Sequence, residues 1–213
     1  MDFEIKPLVE EDTLEFVKLY YRAFSDSLSP ILFSSPPSEA CYEIMARQRA
    51  KIIFKPGIYA YKAVDTATGQ MIGAAYYHIA PNGVSQEVLD NAEPTFTEFG
   101  PEQRADLWRA WGKKMRDCYA EIVGTKPCVE VLMMIVEPAM HGKGIGKALL
   151  TQGCQLADRF GCMAYVEATD AGIALYLKAG FKQIGTIDFD ASPWWHEKRF
   201  PVDVIMIREP KKV

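Results

Sequence analysis

Residues 131–150 read VLMMIVEPAMHGKGIGKALL. An apolar run stops at Pro138, a loop carrying Gly142, Gly144 and Gly146 follows, and a helical apolar pattern starts at Ile145. Strand, glycine loop and helix together present backbone N–H groups to a phosphate. Two common phosphate motifs do not fit. A P-loop needs four residues between its glycines and then Lys and Ser/Thr, whereas three separate Gly142 from Gly146 and Lys147 is followed by Ala148. The dinucleotide fingerprint needs a glycine at its sixth position, which counted from Gly142 is Lys147.

Outward from this stretch, 128–136 is apolar apart from Glu130, as in a central strand. The helix runs over 142–160 and Gly161 ends it. Downstream, 162–168 reads as a buried strand, 171–178 as a short helix closed by Gly180, and 181–189 and 202–208 as two more strands. The loop 190–201 between them holds Trp194, Trp195 and His196.

Upstream, 3–8 alternates as a strand and 13–24 has helical spacing. The Ser- and Pro-rich 25–38 reads as a loop and 39–51 as a second helix, and 58–64 and 71–79 form a hairpin. The stretch 81–127 is an insert, irregular first and then a helix over 101–122 with Pro101 in its first turn. In it Trp108, Trp111, Met115, Cys118, Tyr119 and Ile122 recur at three- and four-residue steps, a packing stripe. Strands alternate with helices only in the second half, which predicts an α+β fold with a mixed sheet in a single domain over 1–213.

The bulk numbers exclude several classes. A net charge of −4 leaves no electrostatic footprint for nucleic acid. No apolar run approaches the ~20 residues of a membrane span. Five cysteines without a C-x-x-C pair, behind an N-terminus with no apolar leader, predict reduced thiols in a cytoplasmic protein. His78, His141 and His196 are far apart and lack ligand spacing, so no metal site is expected.

The loop fits a Gln/Arg-x-x-Gly-x-Gly/Ala pattern as His141-Gly142-Lys143-Gly144-Ile145-Gly146, and resembles the acetyl-CoA site of the GCN5-related N-acetyltransferase (GNAT) superfamily. Two further segments match. Val136-Glu137-Pro138 stands where the superfamily's strand gives way to its loop, and EATDAGIALYLKAGF (167–181) resembles its second cofactor segment. The likeness is strong over about 129–181 and elsewhere is one of element order. One departure is His141, where the superfamily usually has Arg or Gln.

The resemblance implies a mostly antiparallel sheet and acetyl-CoA as cofactor. The candidate cofactor residues are Met134, Ile135, Val136, His141, Gly142, Lys143, Gly144, Ile145, Gly146, Lys147, Asp170 and Tyr176. It also implies that the strand before the loop splays from its neighbour to admit the pantetheine arm. An N–H near Ile135 would then face the thioester carbonyl. Amide formation needs a base to deprotonate the amine. Glu130 is the first candidate, as the one charge in a buried strand and, in the resemblance, six residues before the motif's Val; His78 is the alternative. Tyr176 occupies the Leu-Tyr position that the superfamily uses to protonate the departing thiolate.

By resemblance the acceptor enters between loops 25–38 and 190–201, which makes Phe33, Trp194 and Trp195 candidate substrate contacts, with the insert as a lid. The expected function is acetyl transfer to a small-molecule amine. Its rivals are a protein N-terminal or lysine acetyltransferase, a silent acyl-CoA-binding or regulatory protein on the same fold, and a nucleotide-binding protein. The strand at 202–208 is a candidate for pairing across a homodimer.

Overall fold

The computed structural model describes residues 2–92, 96–195 and 204–211. Seven strands form one sheet: β1 (Phe3–Pro7), β2 (Ile58–Asp65), β3 (Met71–Ala80), β4 (Cys128–Val136), β5 (Met163–Ala168), β6 (Lys182–Thr186) and β7 (Val204–Arg208). Their order is β1-β2-β3-β4-β5-β7-β6, and every neighbouring pair is antiparallel except β4 and β5. The helices are α1 (Thr13–Ala23), α2 (Ser29–Leu32), α3 (Glu39–Ile53), α4 (Gln86–Asp90), α5 (Ala105–Ile122), α6 (Ile145–Phe160) and α7 (Asp170–Lys178).

The sheet separates two apolar cores because strand side chains alternate between faces. On β3, Tyr76 joins the core under α1, α3 and α5, while the adjacent Tyr77 joins the core under α6 and α7. Both faces of β3 are covered, so eight of its ten residues are apolar and buried, and with Gly73 the first seven form an unbroken buried run. Burying each large side chain here is worth about 1.5–3 kcal/mol.

β4 and β5 pair at only three positions: Cys128 with Met163, Val129 with Ala164 and Glu130 with Tyr165. Beyond Glu130 the two strands part, which is the expected splay. On its other side β4 stays paired with β3 as far as Val136. That ladder holds one extra residue, since Tyr76 pairs with Met133 but Tyr77 with Val131. Leu132 is therefore a bulge beside the point where the strands part.

Several boundaries differ from the sequence reading. Loop 25–38 contains α2, and the first half of the insert contains α4. The long insert helix starts at Ala105 rather than Pro101. The turn before it is pinned to the segment after α2 by the Phe33–Gln103 bridge and by Ser34 N–H donating to Glu102 O (2.8 Å). α6 starts at Ile145, three residues later than expected, because the glycine turn occupies those positions. β6 stops at Thr186, short of residue 189, where the Phe189 ring instead packs on Trp111 (5.0 Å between centroids). The first two residues of the expected strand 202–208 lie outside the described residues. The remainder, β7, corrects the proposed dimer edge: it is hydrogen-bonded on both sides, to β5 and to β6, and has no free ladder to offer. The sheet's edges are β1 and β6.

Candidate active site

The gap between β4 and β5 opens into a cavity of about 870 Å³. Its size suits a small-molecule or cofactor site. One end is the glycine turn. Gly142 and Gly144 adopt φ of +77° and +86°, a left-handed conformation that side-chain-bearing residues rarely hold. A Cβ built on either would meet no atom within 4 Å, so both glycines face open space. Gly144 is also the N-cap of α6, and no side chain caps that terminus. The positive end of the helix is thus turned to the cavity with backbone in place of side chains, a chemistry that fits a pyrophosphate.

The strand wall is polar at its backbone. Glu137 N–H donates across to Ile72 O of β3 (3.0 Å), and Ile135 O lies against Gly73 of β3. Backbone groups alternate along a strand, so those of Met134 and Val136 turn the other way, into the gap. An N–H facing the gap here therefore belongs to Met134 or Val136 rather than to Ile135 itself. His141 stands beside this wall, its Nε2 3.3 Å from Val136 O.

Of the expected cofactor residues, Met134, Ile135, Val136, His141, Gly142, Gly144, Gly146, Lys147 and Tyr176 line the cavity. Lys143, Ile145 and Asp170 do not. Ile145 is buried in the α6 core, and Asp170 is the first residue of α7, between the wall residues Thr169 and Ala171.

The three expected catalytic residues converge on the same cavity. Glu130 and His78 face each other across the β3–β4 ladder, with Glu130 Oε2 3.9 Å from His78 Nδ1. The Glu130 side chain keeps only 16% of its exposure. Tyr119 and Tyr165 stand close by, both phenols pushed well above their ordinary range, chiefly by burial and further by negative charge, that of Glu130 on Tyr119 and that of Glu167 and then Glu130 on Tyr165. Tyr165 also donates to Glu167 (2.7 Å). The carboxylate thus sits among neutral phenols and one imidazole. Tyr176 enters from α7, its ring held edge-on against Phe181 at 5.3 Å. Burial pushes the Cys128 thiol far up, which removes it as a nucleophile.

The expected substrate contacts do not reach this cavity. Phe33 is 3% exposed and packs edge-on against Tyr21 and Trp108. Trp194 stacks on Phe189, and Trp195 lies over the Arg104 guanidinium at 5.7 Å. These aromatics anchor loops to α5. His196 lies outside the described residues. The cavity is lined instead by α1, α3 and the insert, through Tyr20, Phe24, Arg49, Val88, Phe96, Trp108, Trp111, Met115 and Tyr119. The α5 stripe is therefore both packing and wall. Sequence reading missed Arg49 altogether. The signal was its place on the buried stripe of α3, eight residues after Cys41 and four after Met45.

Among the described residues no group of three or more His, Cys, Asp or Glu side chains could hold a metal. Among them, too, no helix is long and apolar enough to cross a membrane.

The model of the acetyltransferase (GNAT) family matches residues 31–181. Among curated proteins no sequence matches the chain. Solved structures resemble it throughout. A mosquito arylalkylamine N-acetyltransferase-like 5b protein aligns with a TM-score of 0.69 at 13% identity, over 98% of this chain and 100% of the other. A histone acetyltransferase HPA2 and related acetyltransferase from Corynebacterium glutamicum gives 0.60 at 18%, over 100% and 99%. A GNAT superfamily phosphinothricin acetyltransferase from Sinorhizobium meliloti, in complex with AcCoA, gives 0.58 at 21%, over 99% and 89%. At these identities the likeness is one of fold.

Proposed function

We propose, on the premise that the chain belongs to the acetyltransferase (GNAT) family, that it uses acetyl-CoA to acetylate a small-molecule amine. One observation carries the reading. The strand gap, the uncapped glycine turn, the Glu130–His78 pair and Tyr176 share one cavity. When bound, acetyl-CoA supplies an acetyl group activated as a thioester, which an amine converts to an amide with release of the thiol.

The chain's own residues account for the rest. Gly142, Gly144 and the start of α6 hold the phosphates, and Lys147 adds a positive charge at the wall. The backbone of Met134 and Val136 would orient the pantetheine arm and offer an N–H to the thioester carbonyl. Glu130, directly or through a water, takes the proton from the attacking amine, with His78 as its neighbour and alternative. Tyr176 delivers a proton to the departing sulfur. A cytoplasmic, single-domain enzyme completes the reading.

Thermal stabilisation by acetyl-CoA, CoA, ATP and NAD tests it. A ligand at 100 times its Kd adds about 2.7 kcal/mol. For a chain of this length that raises Tm by roughly 5–10 °C. The expected result is a shift with acetyl-CoA and CoA and none with ATP or NAD, followed by thiol release with an amine. A shift with a nucleotide alone would refute the reading. CoA binding without transfer to any amine would leave a silent acyl-CoA-binding protein.

A further inference from the structure

Arg49 is 6% exposed, so its guanidinium has lost nearly all its water. Four rings surround it, with Cζ 4.8 Å from the Phe96 centroid, 5.4 Å from Tyr20 and 6.0 Å from both Phe16 and Tyr76. Its one hydrogen bond among the described residues goes from Nη1 to the Tyr76 hydroxyl. No carboxylate among them pairs with it. Glu98, on the neighbouring segment, is taken by Arg47 (2.9 Å) and Gln48 (3.4 Å). A guanidinium carries five N–H donors. Ring faces attract its charge but do not bond those donors in the guanidinium plane. A buried cation without a partner is costly, and a planar two-oxygen anion is its best complement.

Arg49 also lines the cavity. Of the other arginines there, Arg109 is paired with Asp106 (3.0 Å) and lies half in solvent, and Arg116 is only partly buried. Tyr76, which receives the Arg49 hydrogen bond, lies two residues before His78 on β3 and therefore on the same face. Two strand residues span about 7 Å. A buried cation and the Glu130–His78 base thus stand on one wall, a short distance apart, between apolar and aromatic surfaces.

We infer that the acceptor is a primary amine that also carries a carboxylate, with Arg49 binding the carboxylate and Glu130 receiving the amine. The substrate class is an amino-acid-like zwitterion with an apolar body. This inference rests on the proposed amine acetylation, but its binding half can be read without catalysis.

Two measurements test it. In the first, 3-phenylpropionate, 3-phenylpropionamide and 2-phenylethylamine are titrated by calorimetry into the CoA-loaded wild type, Arg49→Met and Arg49→Lys. The carboxylate should bind wild type at least 10-fold more tightly than the amide, and Arg49→Met should abolish the difference. Arg49→Lys should retain part of it, since lysine keeps the charge but not the fork. The CoA-induced rise in Tm in each variant checks folding and reads the cofactor site independently. In the second, phenylalanine and 2-phenylethylamine are compared as acceptors by thiol release. Wild type should favour phenylalanine in kcat/KM by at least 10-fold, and Arg49→Met should lose that preference. Equal binding of acid and amide by wild type, or a carboxylate preference that survives in Arg49→Met, would overturn the inference. Absence of the CoA shift or of all acetyl transfer in the wild type would instead strike the proposed function.

Discussion

Replacing Asp158 by Asn should destabilise the protein by about 3 kcal/mol. Asp158, near the end of α6, forms a bidentate pair with Arg208 of β7 at 2.9 and 2.8 Å. Arg208 is only 4% exposed and gives its Nε–H to Ala179 O (3.2 Å), while Asp158 also accepts from Lys211 N–H (2.7 Å). The pair therefore fastens α6, the end of α7 and β7 at one point. Removing one partner of a buried pair costs about 3–5 kcal/mol, because the other charge is left uncompensated. Asp158 keeps 19% of its exposure and an amide can still accept one bond, which puts the loss at the low end. For a chain of 213 residues this lowers Tm by roughly 6–12 °C. Urea unfolding should show the loss as a lower midpoint with an unchanged m value. The same variant fixes the sign of a pH effect. The Arg208 hydrogen bonds hold the Asp158 carboxyl below its ordinary range. Its contribution is thus complete above the unfolded value near 4 and fades as pH falls through the lower, folded one. The gap between wild type and variant should be constant above about pH 5 and narrow progressively as pH falls below about 4. A loss under about 1 kcal/mol at pH 7, or a gap that does not narrow as pH falls below about 4, would refute the reasoning.

Tyr176→Phe keeps the ring against Phe181 and should lower kcat by on the order of 10²-fold with little change in acetyl-CoA affinity. A normal turnover number would take Tyr176 out of the mechanism. Gly153→Ala should cost about 1–3 kcal/mol in urea unfolding. A Cβ there would stand 2.5 Å from the Tyr77 ring, which is held by its hydroxyl bond to Leu149 O (2.7 Å). An unchanged midpoint would mean that this ring can shift after all.

All seven strands were legible, because apolar runs and alternation are local properties of the chain. The glycine turn was legible because positive φ and close approach restrict the residue type at each position. The short α2 and α4 were not, since four- and five-residue helices carry no periodicity of their own. The start of α5 was lost for a different reason. Residues 101–104 are helical in composition, yet Arg104 donates through Nη1 to Pro30 O, Ile31 O and Phe33 O, a tie across more than seventy residues that no local pattern records. The cavity wall failed similarly. Phe33, Trp194 and Trp195 were chosen from where relatives place their loops, but here the insert occupies that side and takes these aromatics as its own packing partners. Arg49 was hidden by its residue type, because an arginine on an amphipathic helix reads as solvent face until its neighbours prove to be four aromatic rings.

The insert helix has a mechanical role that follows from the narrowness of the β4–β5 seam. Only three residue pairs stitch β5, β7 and β6 to the rest of the sheet. α5 crosses that seam, with Trp108 against Tyr20 and Phe33 on one bank and Tyr119 against Tyr165 and Trp111 against Phe189 on the other. It is a tie-beam over a split plank. Shortening 81–127 would cut this beam and let the split widen, and with it the cavity into which the seam opens. The width of the seam and the integrity of the insert are in this molecule a single trait, and neither can be changed alone.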